Sequence, residues 1–425
     1  MNIFSWCKYI LKAYCFRLRK DYENCLRTYF SLVKKDSSPY PKFYDYNKKI
    51  LEIAEQIFSE KKVELNHFSK STEGKTLILT SEIYDSGGHT ELAIRYIEKN
   101  KENENLLFVL TGFLLSSKET APKKSVILKS LLGDNFREFD DVASYEDKIV
   151  TIYQYIIANG VTKVISNMHM YDVVGCAILG LLKKYTDIEI EFWNHGDHFY
   201  SLGTVYADKI YTRTKNGIPL TPYLKGYKNC ENGSFIVKPA CKNLLDCSER
   251  QKMREELGIP SNSFLTMTGC ILWKVNDEYF KLIDKMLRKN PNIYHLFVSP
   301  DYPSCKNLMD KKFKHNPRVK MMSATPEFEK YIQITDLYVD SFPQGSALTL
   351  VDYIKYKKPV VVKINEKNPI QSFEEYLYPN YEYAFKATKD MLNGILKLAS
   401  DKKEYEMMSE KCINFFNKKY VEGRK

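Results

Sequence analysis

Histidines and small polar residues gather in segments that follow short β-rich runs, and this placement is the first chemical signal in the chain. W-N-H-G-D-H, residues 193–198, sets His195 beside Gly196, with Asp197 two positions on. An imidazole titrates near neutrality, so an uncrowded one suits a general base. His195 is the first candidate, and Asp197 would orient its ring or compete for its proton. S-E-I-Y-D-S-G-G-H-T, residues 81–90, holds Asp85, the pair Gly87 and Gly88, and then His89. Two glycines let the backbone approach another group closely, although the same pair would serve any tight strand-to-helix turn. His89 and Asp85 stand in reserve as bases. His169, in N-M-H-M-Y-D, and His198 read as structural or supporting groups.

A second signal is D-L-Y-V-D-S-F-P-Q-G-S-A-L-T-L-V-D-Y-I-K-Y-K-K-P-V-V-V, residues 336–362. Residues 337–340 read as a strand, 341–347 as a turn, 349–356 as a helix and 359–362 as the next strand. The first turn of such a helix offers unpaired amides and the positive end of its dipole to an anion. Gly345 brings no side chain there, Ser346 brings a hydroxyl, and Asp352 lies two turns on, where it can accept from a ribose diol. A plain buried crossover would need the same pattern. G-C-I-L-W-K, residues 269–274, follows another strand; Gly269 is expected to free backbone amides and Lys274 to add a cation. One positive charge and two amide-rich loops suit a diphosphate.

The elements that must hold these residues alternate between strand and helix. Strands are expected at residues 76–80, 106–110, 163–166, 189–193, 235–240 and 264–268, with helices between them. Such alternation predicts doubly wound sheets whose carboxyl edges collect the functional residues. The helix at residues 248–260 is expected to start on Ser248, with Gln251 closing a capping box. At 425 residues and 44% hydrophobic composition, the chain accommodates two domains and an extension. The divisions expected are a helical extension at 1–72, an α/β domain at 73–234, a second at 235–400, and a helix at 401–425 that returns toward the first domain.

A net charge of +11 points to an anionic partner without choosing one. The Lys and Arg residues are dispersed and no nucleic-acid motif is present, so no nucleic acid is expected. Ten cysteines lack C-x-x-C spacing, which argues against a zinc site or disulfide framework and fits a reducing cytoplasm. No run of eighteen apolar residues occurs. The segment Ile3–Leu18 mixes aromatic and basic residues; it would either lie on an anionic membrane surface or pack on the main body. A further helix is expected over residues 46–58.

The order of pieces from about residue 235 to 362 resembles the nucleotide-binding half of GT-B glycosyltransferases. R-E-E-L-G-I-P is followed by a strand, the loop ending at Lys274, H-L-F-V-S, N-P-R-V-K-M-M, and D-L-Y-V-D-S-F-P with G-S-A-L-T-L-V-D. The resemblance implies an α/β fold of two facing Rossmann-like domains. It implies that the loops at Gly269 and Lys274 and at Gly345, Ser346 and Thr349 hold a donor diphosphate. Asp352 would then hold the ribose, and the strand end at Ser323 would meet the base. Gly87 and Gly88 resemble the first loop of the acceptor domain, with His169 and Asp197 on the same side. Gln344 stands where retaining members carry Glu, and the pattern is closer to O-GlcNAc-transferase-type protein glycosyltransferases. W-N-H-G is similar to a teichoic-acid glycerophosphotransferase segment.

The reaction so implied moves a sugar from a nucleoside diphosphate, UDP being the expected carrier, to a hydroxyl of a saccharide or lipid-linked saccharide. No cofactor and no metal are expected. The alternatives are a protein glycosyltransferase, a CDP-polyol phosphotransferase and a catalytically degenerate partner subunit.

Overall fold

Successive residues of the first unit's strands feed two different cores, as a sheet covered on both faces requires. The structure is a computed structural model describing residues 3–35, 45–65, 74–85, 88–102, 105–112, 123–139, 144–194, 200–212, 230–232, 244–367 and 376–422. It divides into two units, Met1–Ile236 and Val237–Lys425. The expected strand at residues 235–240 falls outside the described residues.

The first unit's sheet runs β3-β2-β1-β4-β5-β6-β7, every pairing parallel. Its strands are β1 (Lys75–Thr80), β2 (Leu106–Leu110), β3 (Phe136–Glu138), β4 (Val161–Asn167), β5 (Glu189–Asn194), β6 (Lys209–Thr212) and β7 (Cys230–Asn232). Leu77, Leu79, Leu107, Val109 and Val164 enter one core, whereas Ile78, Phe108, Leu110 and Ile165 enter the other. The first core also takes α1 (Ile3–Leu18), α2 (Tyr22–Lys35), α3 (Tyr46–Glu60), α6 (Tyr145–Ala158) and α7 (Val173–Tyr185). The second is covered by α4 (Gly88–Asn100) and α5 (Lys123–Leu132). The N-terminal helices are thus integral to this unit: Trp6 Nε1 donates to Tyr46 OH at 3.1 Å, and Arg17 pairs with Glu52 at 2.9 Å.

The second unit repeats the plan with order β10-β9-β8-β11-β12-β13, again all parallel. Its strands are β8 (Phe264–Gly269), β9 (Ile293–Ser299), β10 (Val319–Ser323), β11 (Leu337–Val339), β12 (Val360–Lys363) and β13 (Ala384–Phe385). Its helices are α8 (Cys247–Glu256), α9 (Asp277–Lys289), α10 (Tyr302–Lys312), α11 (Phe328–Ile334), α12 (Leu348–Lys355), α13 (Thr388–Ser400) and α14 (Lys402–Phe416). The capping box of α8 is made by Asp246 and Glu249. That corrects the expected Ser248 and Gln251: Asp246 and Glu249 offer the same capping chemistry two residues earlier, where the helix begins. Helix α14 packs within the second unit, its Tyr405 hydroxyl donating to Asp336 O at 2.8 Å.

Candidate functional site

In a doubly wound sheet the crevice for a ligand opens where the crossovers leave in opposite directions, outside the carboxyl ends of the two central strands. In the second unit those strands are β8 and β11, and the segments leaving them are residues 269–274 and 340–347. The two segments meet. Gln344 N donates to Lys274 O at 3.3 Å, Val275 and Pro343 form an antiparallel bridge, and Lys274 Nζ donates to Gly345 O at 3.2 Å.

A buried carboxylate braces the second loop. Asp340 Oδ1 accepts from Ser341 N at 2.9 Å and Ser346 N at 3.0 Å, which folds residues 341–346 back over the strand end. Burial raises the carboxyl of Asp340, and the nearby Lys274 ammonium pulls it back down. Two buried polar atoms here, Asp340 Oδ2 and Gln344 Oε1, have no hydrogen-bond partner among the described residues. Ser341 Oγ donates to Gln344 O, and Tyr338 OH donates to Ser346 Oγ at 3.1 Å. Helix α12 starts directly beyond, with no side chain capping its first turn and no acidic residue in it. That leaves the positive end of its dipole for an anion.

The first loop works differently from expectation. Cys270 N donates to Val298 O at 3.0 Å and Leu272 N to Asp301 Oδ2 at 2.9 Å, so Gly269 does not free these two amides for a ligand. Glycine at 269 leaves room for the Phe328 ring, whose Cζ would lie 2.8 Å from a Cβ there and would have to shift to admit one. What this loop brings to the edge is the side chain of Lys274, beside an exposed Trp273. Thr349 is in the first turn of α12, and Asp352, one turn on, pairs with Lys355 at 3.3 Å. Lys355 is buried and also holds Glu329 at 2.6 Å. Ser323 ends β10, two strands from β8 on the same carboxyl edge, and is exposed.

The first unit has its own switch point between β1 and β4, and a carboxylate braces it too. Asp172 caps α7 through Gly175 N at 2.8 Å and accepts from Ser81 Oγ at 2.5 Å and Thr111 Oγ1 at 2.7 Å. Three loops are thereby tied to one fully buried group, whose carboxyl burial raises. His169 is drawn in as its backbone N donates to Ser81 Oγ at 2.9 Å. His89 Nε2 donates to Asn167 O at 2.9 Å, so the ring's proton sits on Nε2 and Nδ1 is left as the acceptor. Burial holds His89 and His169 down to about 4 each, so both are neutral at pH 7. Asp85 Oδ1 accepts from Lys124 N at 3.0 Å and thereby serves the start of α5.

The structure therefore gathers Lys274, Gln344, Gly345, Ser346 and Thr349 at one switch point, and His89 and His169 at the other. Gly88 opens α4 in the second group and is exposed. Gly87, His195, Asp197 and His198 fall outside the described residues. Asp172, Asp301 and Asp340 were not singled out from sequence, although an acid just past a strand end is the signal that would have found Asp340. Among the described residues, no group of three or more His, Cys, Asp or Glu side chains is placed to hold a metal ion.

No protein-family profile matches this chain, and a search of curated proteins gives no match. Solved structures do match. The Anabaena protein HepE in complex with UDP and glucose superposes with a TM-score of 0.63 at 15% identity, over 82% of this chain and 95% of that one. The S. aureus protein TarM, solved as a mutant with fondaparinux, α-GlcNAc-glycerol and UDP, gives 0.61 at 9% identity, over 82% and 97%. A mutant O-GlcNAc transferase of Thermobaculum terrenum gives 0.55 at 12% identity, over 96% and 75%. The chain has the GT-B fold. Among the described residues, each Rossmann-like unit of this GT-B chain brings some of its candidate residues to the switch point of its own sheet: Lys274, Gln344, Gly345, Ser346 and Thr349 in the second, His89 and His169 in the first.

Proposed function

We propose that this chain transfers a sugar from a UDP-linked donor to the hydroxyl of a saccharide or lipid-linked saccharide, in surface polysaccharide or glycolipid assembly. The observation that carries this reading is the meeting of Lys274 with the loop braced by Asp340 at the uncapped start of α12. A diphosphate there faces an ammonium, a helix dipole and a serine-rich turn. All three act most strongly on the charge that develops as the sugar bond breaks. Asp352 and Ser323 would take the ribose and the base. HepE and TarM, both solved with UDP, lend weight to the choice of nucleotide.

On the acceptor side, His195 is the preferred base. His89 is a weaker one, since a group titrating near 4 has little drive to take a proton at pH 7, and Asp85 already serves the start of α5. Lys274 and the loop dipoles would do the work for which other transferases use a metal, so turnover is expected to persist undiminished in EDTA. A rate abolished by EDTA and restored by a divalent ion would refute that.

A thermal-shift series tests the donor. UDP and UDP-sugars at about a hundredfold their Kd are expected to add about 2.7 kcal/mol to stability, read as a rise in Tm. A response to CDP-glycerol with none to UDP compounds would replace this reading with polyol-phosphate transfer. UDP binding without turnover on any acceptor would point to a non-catalytic subunit.

A further inference from the structure

We propose that the outward face of α1 docks on an anionic lipid bilayer. This helix is apolar on two sides. Its inward side, Trp6, Tyr9, Ile10, Ala13 and Phe16, packs into the first unit's core. Its outward side shows Phe4, Leu11, Tyr14 and Leu18 to solvent at 83%, 63%, 57% and 66% exposure, with Cys7 and Cys15 also exposed. At about 100° per residue these six positions share one stripe roughly 100° wide. Four large apolar side chains aligned in a row mark a contact surface, whereas isolated ones would not.

Charge selects the occupant. Lys8 and Lys12 run along one flank of the stripe with Arg19 just past its end, all exposed, and no acidic residue occurs between Ile3 and Lys20. Such a face places its rings and aliphatic chains among acyl groups and its ammoniums on lipid phosphates. A second copy of the chain would present the same basic row, so a symmetric pairing would oppose like charges. The groove alongside, bordered by Tyr14 and Leu18, adds little attraction, because its cations Arg17 and Lys20 already pair with Glu52 and Glu60. Spanning is excluded for α1: its 16 residues cover about 24 Å, less than a hydrocarbon core of about 30 Å. Among the described residues, no helix is long and apolar enough to cross a membrane. The surface does not depend on the chemistry at either sheet edge.

The test is co-sedimentation of the full chain with vesicles of phosphatidylglycerol and phosphatidylcholine in equal parts, against pure phosphatidylcholine. The chain is expected to pellet with the mixed vesicles only, and less as salt rises. Leu11→Glu with Leu18→Glu, and separately Lys8→Glu with Lys12→Glu, are each expected to weaken binding by roughly tenfold or more. Because these side chains point to solvent, Tm should be unchanged. Phe4→Ser, at the most exposed position, serves as a milder variant should the first pair misfold. Equal binding to both vesicle types, or retention of binding by the variants, overturns the proposal. So does a wild-type dimer that Leu11→Glu with Leu18→Glu dissociates, which would make the face a self-association surface.

Discussion

Lys274→Ala is expected to lower kcat/KM for the UDP-sugar by about 10²–10³-fold, or about 3–4 kcal/mol of transition-state stabilisation. The size follows from position. Lys274 is the cation that the structure sets between the two loops leaving β8 and β11, at the uncapped start of a helix. In a partly buried site it acts on the departing diphosphate, whose charge grows as the glycosidic bond breaks. The effect should therefore fall on turnover as well as on donor binding, and the rise in Tm caused by UDP should shrink in parallel. The unliganded protein should change less. The side chain's bond to Gly345 O at 3.2 Å has a charged donor and is worth about 1.5–3 kcal/mol, below the loss expected in the transition state. A secondary effect has a definite sign: without the ammonium, Asp340 loses the charge that lowers its carboxyl, and its proton is held more tightly. Lys274→Arg keeps the charge but spreads it over a planar fork, and should recover part of the rate. Unchanged kcat/KM together with an unchanged UDP response in Lys274→Ala would remove this lysine from the site.

The strands were legible because a parallel sheet covered on both faces makes its strands nearly continuous apolar runs. Residues 76–80, 106–110 and 264–268 needed little more than that pattern. Helix ends were less legible. At α8 the pair Asp246 and Glu249 and the pair Ser248 and Gln251 offer equivalent capping chemistry two residues apart, and only the path of the chain chooses. Helix α2 went unread as an element although Cys25, Leu26, Tyr29, Leu32 and Val33 form its buried side. In the candidate site, the loop residues could be named because glycine, serine and lysine after a strand carry local meaning. The braces could not. Asp172 acts on Ser81 and Thr111, which lie 91 and 61 residues away in sequence, and nothing local to any of the three announces the others. The role given to Gly269 was misread for a similar reason, since the group packed against it is the Phe328 ring, on a helix that comes later in the chain.

Acidification is expected to cost the wild type about 2–3 kcal/mol more than His295→Gln between about pH 7.5 and about pH 4.5. His295 lies fully buried on β9, with Thr266 Oγ1 2.9 Å from Nδ1, Tyr279 OH 3.0 Å from Nε2, and the rings of Phe297 and Phe313 around it. Burial holds its imidazole down to about 3, against about 6.5 in an unfolded chain. Below pH 6.5 the unfolded state takes up a proton that the folded state refuses until near pH 3. The unfolded state therefore binds more protons across that window, and stability is complete above pH 6.5 and falls as pH drops through it. Asp340, in the same unit, has the opposite sign: its raised carboxyl gains stability on acidification. That contribution is common to both chains and cancels in their difference. The measurement is urea unfolding of wild type and His295→Gln at several pH values, following the transition of the second unit. Glutamine keeps a polar side chain beside Thr266 and Tyr279 but does not titrate, so the gap between the chains should narrow on acidification. A constant gap would mean that His295 takes up its proton in the folded state as readily as in the unfolded one, with both ring nitrogens then donating to Thr266 Oγ1 and Tyr279 OH.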